Sequence, residues 1–308
     1  LVGEELSINL ETSFFDGSMT FGEIVLEGRS QKEVNLTSYM CHPSMGNNEL
    51  SGPLVLSLLY QLLQRHDRKF TYRFSIFPET IGAITYIKKN YERLKKRTVY
   101  GLVLTCLGGP IKNISYKMGK NTKIKNIFQE YLISRGDVIM RPFDPTEGSN
   151  ERHFCFPTVD LPFGQFGRTL YTKYPEYHNS ADDIAFTDVN QIMNSAKDIY
   201  QLLIDFEDQY VESETTIEPS INIQSTDSED FFIPKAKYGE PFLTKYNLYP
   251  KANIDGTNFT TERDFTNKIL NILSMSDGFT SKQFISNKFN IEDQIFDTLL
   301  ENNILIKV

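Results

Sequence analysis

The spacing of apolar residues predicts strands and helices that alternate over the first 210 residues. Residues 70–77 alternate between apolar and polar side chains, the period of a half-buried strand. Leucines recur every three or four positions in residues 52–65, which predicts a helix with one apolar face. Residues 99–107 form an almost continuous apolar run, typical of a strand buried on both faces. Further strands are predicted at 6–10, 24–26, 34–40, 138–140 and 158–163, and further helices at 81–96, 122–134 and 188–210.

This alternation favours an α/β fold with a mostly parallel mixed sheet sandwiched by helices. Functional sites of such sheets lie beyond the carboxyl ends of the strands. His42 follows the predicted strand that ends at Met40, and Glu79 follows the one that ends at Phe77. The sequence therefore predicts a site at this edge of the sheet.

The last third of the chain has a different character. Residues 213–254 open with a polar, acidic stretch and are interpreted as a linker or surface excursion. Helices predicted at 261–274, 281–289 and 291–302 precede a terminal strand at 304–306, which is the outline of a winged helix. Residues 255–308 contain five basic and eight acidic side chains, so a docking or packing role is favoured over DNA binding.

Composition narrows the classes of partner. The chain has 32 basic and 40 acidic residues and a net charge of −8, which argues against nucleic acid and anionic membranes. No apolar run approaches the ~20 residues of a membrane span. Cys41, Cys106 and Cys155 are interpreted as small buried residues in a reducing compartment rather than as a disulfide frame. With no signal peptide to read, a cytoplasmic location is expected.

Two loop histidines suggest a metal site. His42 stands directly after an apolar strand, at the start of a loop that also carries Glu49. Imidazole nitrogen and carboxylate oxygen are zinc ligands, and His178 is the natural second imidazole. Taken alone, each histidine is better explained by hydrogen bonding within its loop, and only the pair together favours a metal. The remaining pair, His66 and His153, is interpreted as a solvated helix end and a structural residue.

Glu79 is the candidate general base. A metal lowers the pKa of its bound water to about 7, and a nearby carboxylate can then accept the proton. The alternative is a carboxylate that merely favours a helix start. The chain has no nucleophile elbow, phosphate loop or dinucleotide fingerprint, so serine hydrolases, kinases and dehydrogenases lack support.

Four segments, at 41–53, 78–82, 148–152 and 174–178, resemble the zinc aminopeptidase-like proteins of peptidase clan MH. The closest resemblance is to an uncharacterised bacterial branch with an inserted lid domain and a C-terminal winged helix. It implies a zinc exopeptidase-like fold, with the first part of that domain and most of the lid outside this chain. The implied division is a lid end at 1–30, a peptidase-like domain at 31–212, the linker at 213–254 and the winged helix at 255–308.

The resemblance also implies roles for single residues. His42 and His178 match the family's metal-binding histidines, and Glu79 matches its general base. Neutral side chains stand at three carboxylate positions: the bridging aspartate falls at Asn48, the second-metal glutamate at Thr80 and the remaining aspartate at Asn150.

One zinc ion is therefore expected rather than two, because amide oxygens are weak, uncharged ligands. Glu49 follows the bridging position and can supply the missing oxygen. The expected ligands are His42, Glu49 and His178, with Asn150 as a further candidate and water in the open position of a catalytic zinc.

The sequence thus predicts a zinc-dependent, aminopeptidase-like hydrolase of a peptide or amide bond. Tyr177 and Arg152 are candidates for lining the substrate pocket, although packing or salt bridging is the more common role of either residue. The branch is associated with surface-polysaccharide synthesis, so a modified-sugar amide is a candidate substrate. The alternative is a catalytically degenerate binding or scaffold protein, and a DNA-binding regulator is disfavoured by the acidic tail. The sequence leaves open whether the chain forms a homo-oligomer.

Overall fold

The computed structural model describes residues 7, 9–120, 126–171, 173–210, 229–249 and 259–308, without the side chains of 259–262. Its main feature is a seven-stranded sheet in the order β1-β3-β2-β4-β7-β5-β6. Strands β3, β2, β4 and β7 run parallel, β1 pairs antiparallel with β3, and β5 pairs antiparallel with β7 and parallel with β6. The strands are β1 (Gly22–Leu26), β2 (Glu33–Tyr39), β3 (Thr71–Phe77), β4 (Thr98–Leu104), β5 (Ser115–Lys117), β6 (Ile139–Arg141) and β7 (Phe163–Gly167).

Helices cover both faces of this sheet, as the alternating pattern predicts. They are α1 (Ser51–Gln64), α2 (Ile81–Arg97), α3 (Ile127–Arg135), α4 (Glu151–Phe154) and α5 (Val189–Gln209). The mostly parallel mixed sheet flanked by helices is confirmed. No helix in the described part of the chain is both long and apolar enough to cross a bilayer.

The described C-terminal residues, 229–249 and 259–308, contain three α-helices and a small antiparallel sheet. The helices are α6 (Phe259–Met275), α7 (Lys282–Phe289) and α8 (Asp293–Glu301), and the strands are β8 (Phe232–Pro234) and β9 (Leu305–Lys307). The predicted helices and terminal strand correspond to α6, α7, α8 and β9. The predicted excursion at 213–254 lies partly outside the described residues, and its described part contains β8, which was not predicted.

The strand predicted at 158–163 is wrong. Its apolar residues have the spacing of a strand, yet the backbone N–H groups of Val159 and Asp160 both donate to the Phe156 carbonyl and form a turn. The strand itself, β7, follows in a glycine-containing segment of low β-propensity. Gly164 is required there, because a Cβ atom would lie 2.0 Å from the Tyr116 hydroxyl.

Two other predictions about strands need correction. The strand predicted at 6–10 falls partly outside the described residues, and Leu10 is exposed and lies in no strand. Strand β5 was not predicted because it has three residues and ends on a lysine. Lys117 is nevertheless buried, since its ammonium pairs with Glu151 at 3.2 Å and donates to the Asp144 carbonyl at 2.7 Å.

Apolar side chains form two cores, one on each face of the sheet. The first lies under α1, α3 and α5, and the second lies under α2 and α4 and continues into the C-terminal helices. Lys120 also connects the two parts, because its ammonium donates to the Ser274 carbonyl at 2.7 Å and pairs with Asp277 at 3.2 Å. The C-terminal helices are therefore packed onto the sheet domain. The second core includes Phe77, Tyr86, Val103, Phe154, Phe163, Phe232, Leu243, Ile269, Leu273, Phe296 and Leu299.

A buried charge network anchors the start of β2. Glu33 has no exposed surface, and Arg73 donates to its two oxygens from Nε at 3.0 Å and Nη2 at 3.1 Å. Arg93 donates to the same carboxylate. Burial raises the pKa of Glu33, but the arginine hydrogen bonds and charges outweigh it and hold the pKa below its ordinary value.

Replacing Glu33 by Gln is expected to lower the free energy of unfolding by about 3 kcal/mol, because it leaves two arginines without their buried counter-charge. The depressed pKa means that this contribution is complete above the unfolded pKa and is lost as pH falls towards the folded value. Urea unfolding at pH 7 and pH 4 measures both effects. Glu27→Gln, at an exposed position after β1, should change stability by less than about 0.5 kcal/mol.

Candidate metal centre

Parallel pairing of β2 and β3 brings His42 and Glu79 together. Tyr39 lies opposite Phe77 at the ends of these strands. The chain leaves both strands at the same edge of the sheet, so residues two or three positions further on are neighbours. Nε2 of His42 lies 3.7 Å from Oε2 of Glu79.

Glu49 contacts the other nitrogen of the same ring. A short helical turn at Gly46–Leu50 carries its side chain back over the end of β2, where it is buried. Oε2 of Glu49 lies 2.9 Å from Nδ1 of His42, and Oε1 accepts the backbone N–H of Cys41. The hydrogen bond to Glu49 raises the pKa of His42, and the charge of Glu79 adds to this against the opposing effect of burial.

Asp182 holds this turn in place. Its carboxylate is fully buried and accepts the backbone N–H groups of Asn47 at 2.6 Å and Asn48 at 2.9 Å. Its carbonyl accepts the N–H of Gly46 at 2.8 Å. Sequence reasoning did not single out Asp182, although it stands four residues after His178 in an acidic pair.

His178 reaches the same region from the loop before α5. Its ring centroid lies 5.1 Å from that of His42, and Tyr177 stacks on it at 3.9 Å. His178 has a φ of 57°, a left-handed backbone that is uncommon outside glycine. Burial lowers the pKa of His178, and the neighbouring His42 lowers it further.

Cys41 differs from its prediction. Cys106 and Cys155 are buried as expected, whereas Cys41 is exposed. Its Sγ lies 3.3 Å from Nδ1 of His42 and accepts the backbone N–H of Glu79 at 3.2 Å. Cys41 is not covered by the sheet, because β2 has already ended at Tyr39.

The structure therefore groups Cys41, His42 and Glu49. Each offers one ligand atom, and these three atoms lie within 4.8 Å of one another. His178, the predicted second imidazole, is a neighbour of this group in the described structure rather than a part of it.

Glu79 occupies a partly buried position beside this group. Its Oε1 accepts a hydrogen bond from the Ser149 hydroxyl, while Oε2 faces His42. Burial raises the pKa of Glu79, although Ser149 and His42 oppose this effect. A carboxylate whose pKa is raised is a better proton acceptor at neutral pH. Ser149 was not identified from the sequence as a site residue.

Asn150 supports the turn between Glu79 and α2. Thr80 has φ 60° and ψ −77°, a strained backbone for a β-branched residue. Its N–H donates to Oδ1 of Asn150 at 2.9 Å. Asn150 is fully buried, and within the described structure its Nδ2 has no hydrogen-bond partner. The oxygen predicted as a metal ligand is thus engaged by the backbone next to Glu79.

The two candidate pocket residues occupy different places. Tyr177 lies against the face of His178, whereas Arg152 donates to the Pro145 carbonyl at 3.0 Å and pairs with Glu240 at 3.2 Å. Arg152 also lines a cavity of about 270 Å³ between the 146–152 segment and α6. Its neighbours there are Thr146, Glu240, Tyr249, Arg263, Thr266, Asn267 and Leu270.

Comparison with known proteins shows the family to which the chain belongs. Residues 11–209 match the family described as a domain of unknown function, DUF4910. The chain belongs to this family. A protein of Clostridium acetobutylicum, named for polysaccharide biosynthesis and an aminopeptidase-like domain, is 33% identical over 225 residues, which are 72% of this chain and 51% of that protein.

One solved structure resembles this DUF4910 chain over most of its length. It is the crystal structure of a presumed peptidase from Clostridium acetobutylicum, 27% identical, covering 94% of this chain and 60% of that one with a TM-score of 0.55. The chain therefore spans between half and two thirds of the length of the relatives that it matches.

Replacing Asp182 by Asn is expected to lower the free energy of unfolding by about 2 kcal/mol, because one oxygen that accepts a backbone N–H becomes a donor and the charge is lost. Urea unfolding measures the change. Asp183→Asn is the matched control, because that side chain caps the same loop from an exposed position. Equal effects of the two substitutions would contradict the anchoring role of Asp182.

Proposed function

We propose that this DUF4910 protein is a one-zinc, aminopeptidase-like hydrolase of a peptide or amide bond. The observation that carries the proposal is the convergence of His42, Glu49 and Glu79 at the ends of two adjacent parallel strands. The resemblance of most of the chain to the solved structure of a presumed peptidase supports it.

The residues at the site fit a single zinc ion. Imidazole, carboxylate and thiol groups are its usual ligands. Glu49 and Glu79 together carry two negative charges, which balance one divalent cation. Oδ1 of Asn48 is buried and has no hydrogen-bond partner in the described structure. Nδ2 of the same side chain donates to the Tyr39 hydroxyl at 3.3 Å, so this unpaired oxygen lies close to the site. His42, Glu49 and His178 would hold the ion.

Zinc, when bound, polarises a carbonyl group and lowers the pKa of water. The chain's own contribution is proton transfer. Ser149 fixes one oxygen of Glu79, so the other oxygen faces the site. Through that oxygen Glu79 accepts a proton from the attacking water and returns it to the leaving amine.

The surroundings suggest where a substrate would lie. Tyr177 stacks against one face of His178, and Arg152 lines a cavity of about 270 Å³ that offers space for a polar group. The substrate class that we propose is a small peptide or an amide-bearing molecule. The relative named for polysaccharide biosynthesis makes a modified-sugar amide the first candidate.

We also propose that residues 255–308 form a winged-helix module whose role is packing rather than DNA binding. The shared core with α2 and the contact of Lys120 with Asp277 support this role. The excess of acidic residues in this segment opposes phosphate binding. The proposal retains the cytoplasmic location expected from the sequence.

The rival function is a binding protein on the same fold. The neutral side chains of Asn48, Thr80 and Asn150 favour it, since they replace three carboxylates that the family resemblance expects. The two functions differ in one measurable property, which is the dependence of turnover on Glu79.

Glu79→Gln is expected to lower hydrolysis by about 10²- to 10⁴-fold, because the amide cannot accept the proton. The assay is a panel of aminoacyl and acyl-amide substrates, with elemental analysis showing about one zinc per chain in both proteins. Glu176→Gln, in the loop before His178, is the control and should keep full activity. Equal rates for parent and Glu79→Gln would favour the binding protein.

Zinc added to metal-free protein is expected to raise the melting temperature, because an ion that binds only the folded state stabilises it by mass action. Differential scanning calorimetry with zinc and with magnesium measures the shift. Magnesium should have little effect, since its preferred ligands are oxygens. A protein that contains no zinc and is not stabilised by it would contradict the metal site.

A further inference from the structure

Cys41 lies in the group of side chains that would hold the zinc ion. It is exposed, and it is the first loop residue after Met40, whose N–H is held by the Phe77 carbonyl. Its thiol points to the same nitrogen of the His42 ring as the Glu49 carboxylate does. Sγ is 3.3 Å and Oε2 is 2.9 Å from Nδ1.

These contacts are characteristic of a ligand set rather than of core packing. A packed cysteine is surrounded by apolar groups, as Cys155 is in the second core. Cys41 instead contacts the imidazole of His42, and its sulfur accepts the backbone N–H of Glu79. Sulfur, nitrogen and oxygen ligand atoms lie within 4.8 Å of one another, a compact group for one ion.

The anchoring of the loop maintains this group. Asp182 fixes the turn that carries Glu49, and Glu49 accepts the N–H of Cys41 through the oxygen that does not face His42. The backbone of Cys41 is therefore tied to the carboxylate that would share an ion with it.

We propose that Cys41 is a thiolate ligand of the bound metal and thereby closes the site. This inference rests on the proposed one-zinc function. Cys41, His42 and Glu49 form the cluster, and the neighbouring His178 would bring the protein ligands to four, the number found in structural zinc sites, whereas a catalytic zinc keeps one position open. Binding releases the thiol proton to solvent. The bond between Cys41 and the metal must break before a substrate can bind to the metal, so the thiol regulates access of the substrate to the metal.

The rival arrangement uses the other side of the ring. Glu49 would only orient His42 through Nδ1, as carboxylates commonly do for a metal-ligating histidine, and the ion would lie on the Nε2 side next to Glu79. Cys41 would then not contact the ion. The two arrangements differ in whether sulfur is bonded to the metal.

Cobalt(II) distinguishes them, because a thiolate bonded to cobalt produces an intense charge-transfer absorption in the near ultraviolet. The full chain loaded with one equivalent of cobalt is expected to show this band. Cys41→Ser should lose the band, and its zinc affinity should fall at least about tenfold. Cys155→Ser is the control, because that buried thiol donates to the Phe163 carbonyl away from the cluster and the band should persist.

A second measurement uses the exposure of Cys41. In metal-free protein, iodoacetamide should alkylate Cys41 and leave the buried Cys106 and Cys155 unmodified, which mass spectrometry of peptides shows. One equivalent of zinc should protect Cys41 at least tenfold. At equal metal content, Cys41→Ser should turn over amide substrates faster than the parent.

The outcomes separate the two proposals. Cobalt bound without the near-ultraviolet band, or a band that survives in Cys41→Ser, would overturn the role of Cys41 and leave the one-metal hydrolase intact. A parent chain that binds neither cobalt nor zinc would overturn both.

Discussion

The parallel pairing of β2 with β3 is the constraint on which the candidate site depends. Their register sets Tyr39 opposite Phe77, so the chain leaves both strands side by side at one edge of the sheet. His42 and Glu79 become neighbours for this reason alone, although 36 positions separate them in the sequence. A shift of the register by one residue would exchange the side chains that a strand presents to the two cores, and the packing of both cores opposes it.

Buried carboxylates hold the backbone near both ends of β2. Asp182 accepts backbone N–H groups of the turn that carries Glu49, and Glu33 is neutralised by two arginines at the other end of β2. In both cases a buried carboxylate has its hydrogen-bond partners, which is the condition for burying a charge without a large penalty. The strained backbone at Thr80 is supported in the same way by Asn150.

The second core explains how a chain with a change of composition after residue 210 remains one packed structure. Apolar residues of α6 and α8 extend the core beneath α2, so the C-terminal helices cover a surface that the sheet domain would otherwise expose. Arg152 lies where α6 meets the 146–152 segment, so the C-terminal part also borders the cavity that Arg152 lines.

The sequence alone determined the elements whose periodicity is strong, namely the helices α1, α2 and α5 and the strands β2, β3 and β4, because side-chain periods of 3.6 and 2 are local properties. It also indicated that His42 and Glu79 each follow the end of a strand. Only the tertiary structure decided the rest. Glycine-containing β7 and three-residue β5 are strands because of their partners, and Cys41 and Asp182 acquire their roles from residues remote in sequence. Such contacts depend on strand register and loop path, which no local pattern records.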